Sequence, residues 1–342
     1  MTLHNRAAYL AEAIGSMLAQ SQRDFTLVLV DDGSTDETER IARSYELADT
    51  RVRYVRLPSR RGMIEAWRAA FEAASATGAR YFAWASDHDK WHPQWLEKLM
   101  DVLDGSSSVV LAYPLTQRVD PEGRTLAKPA RQFETFGIAD RDARWALLNR
   151  SDTVAAGDMV YGLMRADALR DAGIFRDVLC PDRLLVAELT LQGEIRQVPE
   201  PLWYRRQFTE GSVERQRFTL FPPGTQPPSK FMPPWYMHAR ALWNVYGPGS
   251  HPRVKLSRTE AFRLVTAYAA AYASRHYAKS SVQRGILTVL GWPRWIYKRL
   301  KHAVLLVVYG VLVALRQIGL TPLIERLCER LTGRPRPWRW HA

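Results

Sequence analysis

The chain has few cysteines, and their scarcity excludes two classes of protein. Its 342 residues include two, Cys180 and Cys328, which lie in segments of different character and form no Cys-x-x-Cys pair. A disulfide framework and a zinc knuckle both need more cysteines at closer spacing. We therefore expect a protein of a reducing compartment that folds on its hydrophobic core.

Long apolar runs are also missing. The segment before Gln20 is interrupted by Arg6 and Glu12, which predicts that no signal peptide opens the chain. The apolar run at 303–315 has 13 residues, fewer than the about 20 that span a bilayer. We expect this run to lie on a membrane surface or to form a buried helix.

Acidic residues are scarce in the second part of the chain only. Residues 201–342 hold 23 of the 48 Lys and Arg but 5 of the 35 Asp and Glu, so the formal net charge of +13 arises there. Tryptophans and tyrosines are interleaved with these basic residues, which favours an anionic membrane surface over nucleic acid as partner. The sequence thus predicts a cytoplasmic protein, peripheral on the inner face of the cell membrane, with no nucleic acid partner.

Apolar segments alternate regularly along the first part of the chain. Helical spacing over 8–20 precedes a strand at 26–30. Further strands are predicted at 52–57, 81–85, 109–113 and 195–198, and further helices at 63–76, 93–103, 166–172, 184–192 and 258–277. This order predicts an α/β fold with a doubly wound, mostly parallel, Rossmann-like sheet.

A first acidic cluster follows the strand at 26–30. Asp31 and Asp32 precede Gly33 and Ser34, at the sheet edge where doubly wound folds bind ligands. A carboxylate there can accept hydrogen bonds from a base or a ribose, and a Gly-Ser pair lets the backbone come close. The alternative is a loop and helix cap with no ligand.

A second acidic cluster follows the strand at 81–85. Asp87 and Asp89 flank His88, and together they predict a site for Mn²⁺ or Mg²⁺ that also contacts a diphosphate. The alternative is that both acids cap the helix that starts near Pro93. His88 is either a further ligand or a packing residue.

Two other candidates lie outside these clusters. Asp182 precedes a predicted helix and is a general base or a helix cap, with Glu188 as a weaker candidate for the base. Arg61, beside Gly62, either meets phosphate or lies on a solvated surface.

Several segments resemble family 2 glycosyltransferases of the GT-A fold. They are Asn5–Leu10 (Asn-Arg-x-x-Tyr-Leu), Ser16–Gln20, Val28–Asp36, Ser86–Pro93, Val160–Arg165, Pro181–Leu185 and Val198–Arg205. The likeness covers about residues 2–206, in the family's order. The joint order and spacing make it more specific than any single motif.

The resemblance implies inverting transfer from a nucleotide diphosphate sugar, most often a uridine one, to a glycan or lipid-linked acceptor of the cell envelope. Asp31 and Asp32 would then bind the base and ribose. The metal would be bound by Asp89 and Asp87, and the alignment supports Asp89 as a ligand more strongly than Asp87. Asp182 would be the base. The implied regions are a GT-A domain at 1–215, a proline-rich linker or loop at 216–257 and a helical, basic, membrane-associating region at 258–342.

Two departures from the family pattern leave an alternative open. The first strand of the nucleotide-binding sheet appears only as Met1–Asn5, so we expect it to be missing and the native chain to start upstream. Pro181 stands where the family often has Glu. Both departures favour, as the alternative, a non-catalytic protein that binds nucleotide sugars.

Overall fold

A computed structural model describes residues 1–129, 131–151, 154–208, 219–225 and 233–278. Its strands are β1 (Thr2–Leu3), β2 (Leu27–Asp31), β3 (Val52–Arg56), β4 (Tyr81–Phe82), β5 (Lys90–Trp91), β6 (Val109–Val119), β7 (Thr125–Ala127), β8 (Leu163–Arg165) and β9 (Glu194–Arg206). Its helices are α1 (Ala7–Leu18), α2 (Thr38–Ala48), α3 (Met63–Ser75), α4 (Trp95–Gly105), α5 (Arg141–Arg150), α6 (Ala156–Met159), α7 (Ala166–Asp171), α8 (Pro181–Gln192), α9 (Pro234–Tyr246) and α10 (Arg258–Ala278). The chain divides into two compact units, Met1–Lys230 with Pro248–Lys255, and Phe231–Gly247 with Leu256–Ala342.

The strand β2 is the centre of a parallel sheet with the order β1-β2-β3. Successive side chains of a strand point to opposite faces. Accordingly, Leu27 and Leu29 pack in one core with α1 and α2, whereas Val28 and Val30 pack against α3. Helices therefore cover both faces, and the predicted α/β fold class is confirmed.

The first strand is short rather than absent. In β1, Leu3 pairs with Asp31 of β2, and its carbonyl accepts the N–H of Asp32 at 3.0 Å. The pairing carries the next residue, His4, to the carboxyl edge of β2, where its Nδ1 lies 3.0 Å from the carbonyl oxygen of Asp32.

The second sheet is mixed and has six strands in the order β4-β8-β6-β9-β5, with β7 paired to β6. Strands β6 and β9 run parallel to each other, and the other described pairs are antiparallel. Strands β6 and β9 both run well beyond their predicted ends at 113 and 198, so their parallel pairing includes Arg118 and Arg205. A bridge from Thr2 to Ser86 links the two sheets.

The described part of the second unit is helical. The helix α9 lies within 216–257, predicted as a linker or loop, and His238 in it lies within hydrogen-bond distance of Tyr268 in α10, at 2.9 Å. None of the described helices is both long and apolar enough to cross a membrane. The apolar run at 303–315 lies outside the described residues, so its membrane contact and the predicted domain boundaries stay predictions.

The start of α3 requires a glycine. Gly62 has φ +85° and ψ 164°, and a Cβ there would lie 2.6 Å from the carbonyl oxygen of Phe221. The N–H of Ile64 donates to the carbonyl of Leu220 at 3.1 Å. The segment 219–225 therefore packs directly on the first turn of α3.

We predict that Gly62→Ala destabilises the first unit more than Gly78→Ala. Gly78 also has a positive φ, +72°, but a Cβ there meets no atom within 4 Å. Both variants meet backbone strain, and only Gly62→Ala adds a backbone clash, which typically costs about 1–3 kcal/mol. Urea unfolding of the two variants measures the difference, and equal losses would contradict the packing described above.

Candidate active site

A cavity of about 950 Å³ opens at the carboxyl edge of the parallel sheet. Its wall includes His4 after β1, Asp32 after β2, Asp87 and His88 before β5, and Arg205 near the end of β9. These residues are far apart in the sequence. Doubly wound sheets bind their ligands at this edge, where strand order and connections bring such residues together.

Asp31 and Asp32 are adjacent but have different surroundings. Asp31 is fully buried, and its carboxylate accepts hydrogen bonds from the Tyr54 hydroxyl and the Ser34 N–H, both at 2.7 Å, and pairs with Arg56 at 3.2 Å. Its side chain stabilises the turn after β2. Asp32 is the acid of this pair that lines the cavity.

The carboxylate of Asp32 joins this turn to the loop before α3. It accepts the backbone N–H groups of Arg61 at 2.5 Å and Gly62 at 3.0 Å. A Cβ on Gly33 would lie 2.9 Å from the backbone nitrogen of Arg60, so glycine permits the close approach. In this loop Arg60, not Arg61, lines the cavity.

The loops after β1 and β2 are joined in the same way. The Ser34 hydroxyl accepts the N–H of Asn5 at 3.1 Å, and the Asn5 side chain accepts the N–H of Thr35 at 2.8 Å. Of the predicted nucleotide-binding residues, the structure brings Asp32 to the cavity wall. It places Asp31 and Ser34 in contacts that support this wall.

Asp87 and His88 also line the cavity. One carboxylate oxygen of Asp87 accepts the N–H of His4 at 3.1 Å, and the other lies 2.6 Å from Nδ1 of His88. The His88 ring also packs on Phe208, with ring centroids 5.2 Å apart. The imidazole is therefore held at the cavity surface beside a carboxylate.

Asp89 lies behind this wall. It is 2% exposed, and its Oδ1 accepts the N–H of Arg206 at 2.7 Å. Burial raises the pKa of Asp89, while the charges of His88 and Arg205 and the hydrogen bond from Arg206 oppose the rise. Nε2 of His88 lies 3.9 Å from Oδ1 of Asp89, so the imidazole lies near both acids.

Asp87 and Asp89 fit a hard divalent cation that also binds the phosphates of a substrate. Mg²⁺ commonly keeps several waters and binds one or two carboxylates together with substrate phosphates. Asp87 and Asp89 match that set in number and type. Among the residues that the structure describes, no three acidic, histidine or cysteine side chains converge as a metal site. The residues therefore fit a cation shared with a substrate, not one enclosed by protein ligands alone.

Asp182 lies in the first turn of α8, because this helix starts three residues before its predicted start at 184. Burial raises the pKa of Asp182, opposed by the N–H of Arg183 and the charge of Arg205. A Cβ on Gly157 would lie 3.2 Å from Oδ2 of Asp182 and 3.7 Å from Nη1 of Arg205. The glycine thus leaves room where these two side chains approach each other.

Glu188 differs from Asp182 in its surroundings. It is fully buried in α8, and its carboxylate accepts three hydrogen bonds from the Arg176 guanidinium, at 2.7 to 3.0 Å. It does not line the cavity, and its contacts are those of a structural ion pair.

Two residues near the cavity, Asp158 and Arg118, were not identified from the sequence. Asp158 is buried and binds both Arg118 and Arg205. An acid flanked by Gly157 and Met159 is a weak signal of burial. Nothing in the sequence identifies its partners, because β6 and β9 bring them together only in the fold.

A model of glycosyl transferase family 2 matches residues 1–167. TuaG of Bacillus subtilis, a putative teichuronic acid biosynthesis glycosyltransferase, is 34% identical over 29% of this chain and 38% of its own length. An uncharacterized glycosyltransferase of Nostoc sp. is 32% identical over 38% of this chain and 39% of its own length. These matches span about two fifths of each relative.

Solved structures of S. aureus TarS resemble the chain in fold. TarS 1–349 in complex with UDP aligns with a TM-score of 0.55 and 16% identity over 84% of this chain and 76% of its own. A second TarS structure aligns with a TM-score of 0.56 and 17% identity, over 82% of this chain and 43% of its own. The chain thus has a GT-A fold, and its residues 1–167 form a glycosyl transferase family 2 domain.

Proposed function

We propose that the chain transfers a sugar from a nucleoside diphosphate sugar to a glycan or lipid-linked acceptor, with inversion at the anomeric carbon. The observation that carries this proposal is the meeting of Asp32, Asp87 and Arg205 on one cavity wall. They come from three separate motifs of the family resemblance. The family 2 match supports sugar transfer as the reaction class.

In this proposal, Asp32 binds the base and ribose of the donor. Its carboxylate is on the cavity wall and can accept hydrogen bonds from a pyrimidine N–H or a ribose hydroxyl. Asp31, Gly33 and Ser34 support it by stabilising the turn, and Arg61 does so through its N–H. The resemblance favours a uridine donor, and the fold likeness to TarS, solved with UDP, supports this choice.

Asp87 and Asp89 are the residues we propose to hold Mn²⁺ or Mg²⁺. A cation bound there would neutralise the charge that develops on the departing diphosphate. Asp87 already lies on the wall, and His88 is packed beside it on Phe208. The hydrogen bond from Arg206 orients Asp89 before any ligand binds.

Asp182 is the proposed general base. The acceptor hydroxyl oxygen bonds to the anomeric carbon while the bond from that carbon to the diphosphate oxygen breaks. The hydroxyl proton passes to Asp182, and the electron pair of the broken bond leaves with the diphosphate. Arg205 beside Asp182 favours the ionised carboxylate that this role needs.

The acceptor is proposed to belong to the cell envelope. TuaG, whose name assigns it to teichuronic acid biosynthesis, supports an envelope polysaccharide or its lipid-linked precursor. The basic, aromatic segment 258–342 would then bring the domain to an anionic membrane surface from the cytoplasm. A non-catalytic nucleotide-sugar-binding protein is the alternative, favoured by Pro181 at the start of α8.

We predict that Asp182→Asn lowers the rate of transfer or donor hydrolysis by about 100- to 10,000-fold, as expected when a general base is removed. UDP affinity should stay within about twofold, because the side chain is assigned to the acceptor. Asp177→Asn, at a side chain that is 67% exposed, is the control. Wild-type binding of UDP-sugars without turnover would instead support the alternative function.

The pH dependence of the rate gives a second prediction. A base must be ionised, and burial raises the pKa of Asp182. The rate of the wild type should therefore fall as the pH drops through this pKa, at a midpoint above the ordinary range of an aspartate. The midpoint is measured from the initial rate against pH. A midpoint at or below the ordinary aspartate range would contradict the assignment.

For the metal site, we predict that Asp89→Asn and Asp87→Asn each weaken UDP binding in the presence of Mn²⁺ by about tenfold or more. Binding without metal should change by less than about twofold, because neither acid is assigned to the nucleoside. Titration calorimetry with and without Mn²⁺ measures both, and Glu122→Gln at a 63% exposed side chain is the control. Equal Mn²⁺ enhancement in all four proteins would remove the metal role.

A further inference from the structure

Two arginines stand side by side near the ends of the long parallel strands. Arg118 in β6 and Arg205 in β9 are partners in the register of this pair. Like charges opposite each other on a sheet repel. The fold therefore needs a counter-charge at this place.

Asp158 is that counter-charge. It is 2% exposed, and Nη2 of Arg118 donates to its two oxygens at 2.9 and 2.8 Å. Arg205 donates to it through Nη1, and the Gln132 amide donates at 2.9 Å. The carboxylate is thus saturated with donors, and it holds the two guanidinium groups at a fixed spacing.

The arginine pair is nevertheless able to bind an anion. Both side chains line the cavity and are about one-third exposed, 33% and 34%. Their two positive charges exceed the single charge of Asp158, and the charge of Arg205 also acts on Asp89 and Asp182. Within the described residues, Nε and Nη1 of Arg118 and Nε and Nη2 of Arg205 form no hydrogen bond. The free Nε and Nη2 groups of Arg205 form the parallel N–H pair that matches two oxygens of a phosphate or a carboxylate, and Nε and Nη1 of Arg118 add single N–H donors.

The arginine pair lies near Asp182, the proposed base for the acceptor hydroxyl. Arg205 and Asp182 both lie close to Gly157: a Cβ there would be 3.7 Å from Nη1 of Arg205 and 3.2 Å from Oδ2 of Asp182. We propose that Arg118 and Arg205 bind a phosphate or carboxylate group of the sugar acceptor, beside the hydroxyl that Asp182 deprotonates. This inference rests on the proposed function of the site. It specifies an anionic acceptor.

The same chemistry could come from the diphosphate of the donor, and the test separates the two sources. Inorganic phosphate is titrated calorimetrically into protein with and without saturating UDP and Mn²⁺, and UDP is titrated separately. The variants are Arg118→Ala, Arg118→Lys and, as control, Arg124→Ala, whose side chain is 75% exposed and outside the cavity. Asp158 keeps Arg205 and Gln132 as partners when Arg118 is changed.

We expect the wild type to bind phosphate even when saturated with UDP. Arg118→Ala should weaken phosphate binding by about tenfold or more, Arg118→Lys by less, and Arg124→Ala not at all, while UDP affinity stays within about twofold. Phosphate binding that UDP abolishes, or equal weakening of both ligands in Arg118→Ala, would assign the pair to the donor and overturn the proposal. Phosphate affinity unchanged in Arg118→Ala would overturn it too. Arg118-dependent phosphate binding without any UDP binding would uphold the anion subsite and contradict the proposed function.

Discussion

Buried carboxylates need hydrogen-bond donors, and this requirement organises the cavity. The acids at its edge take these donors from the backbones of other segments: Asp32 from the loop before α3, Asp87 from His4 and Asp89 from Arg206. Each such bond joins the end of one strand to a loop or strand distant in sequence. The acids proposed to bind substrate and metal are therefore also the residues that hold the cavity walls together.

This double role bears on the alternative of helix capping. The helix α4 starts at Trp95 with Gln94 as N-cap, and the Gln94 side chain makes no capping hydrogen bond. Gln20 Oε1 accepts the N–H of Leu96 in the first turn at 2.9 Å, so Asp87 and Asp89 are not its caps. Asp31 does stabilise a turn, through the N–H of Ser34 and the hydroxyl of Tyr54. The alternative of a loop-stabilising role without a ligand thus describes Asp31 well, whereas its neighbour Asp32 lines the cavity.

The alternation of strands and helices was predictable because β2 is buried on both faces and carries an unbroken apolar run. The lengths of β6 and β9 were not, since Pro114, Pro199 and Pro201 interrupt the pattern and the register shifts near them. The loop contacts of Asp32 and the pairing of Arg118 with Arg205 also depend on chain segments far apart. Sequence spacing therefore predicted that Asp31 and Asp32 stand at the end of β2. It did not predict that β4 ends at Phe82, so that Asp87 and Asp89 lie just before β5, nor which backbone groups these acids bind or where the arginine pair forms.

The central claim is that this cavity binds a nucleoside diphosphate sugar together with a divalent cation. A thermal-shift panel of nucleotide sugars with Mn²⁺ or Mg²⁺ tests it most directly, since a ligand at 100 times its Kd stabilises the folded state by about 2.7 kcal/mol. We predict that a uridine diphosphate sugar raises the melting temperature by about 2–4 °C or more, and by more with metal than without. No rise with any nucleoside diphosphate sugar, with or without metal, would contradict the claim.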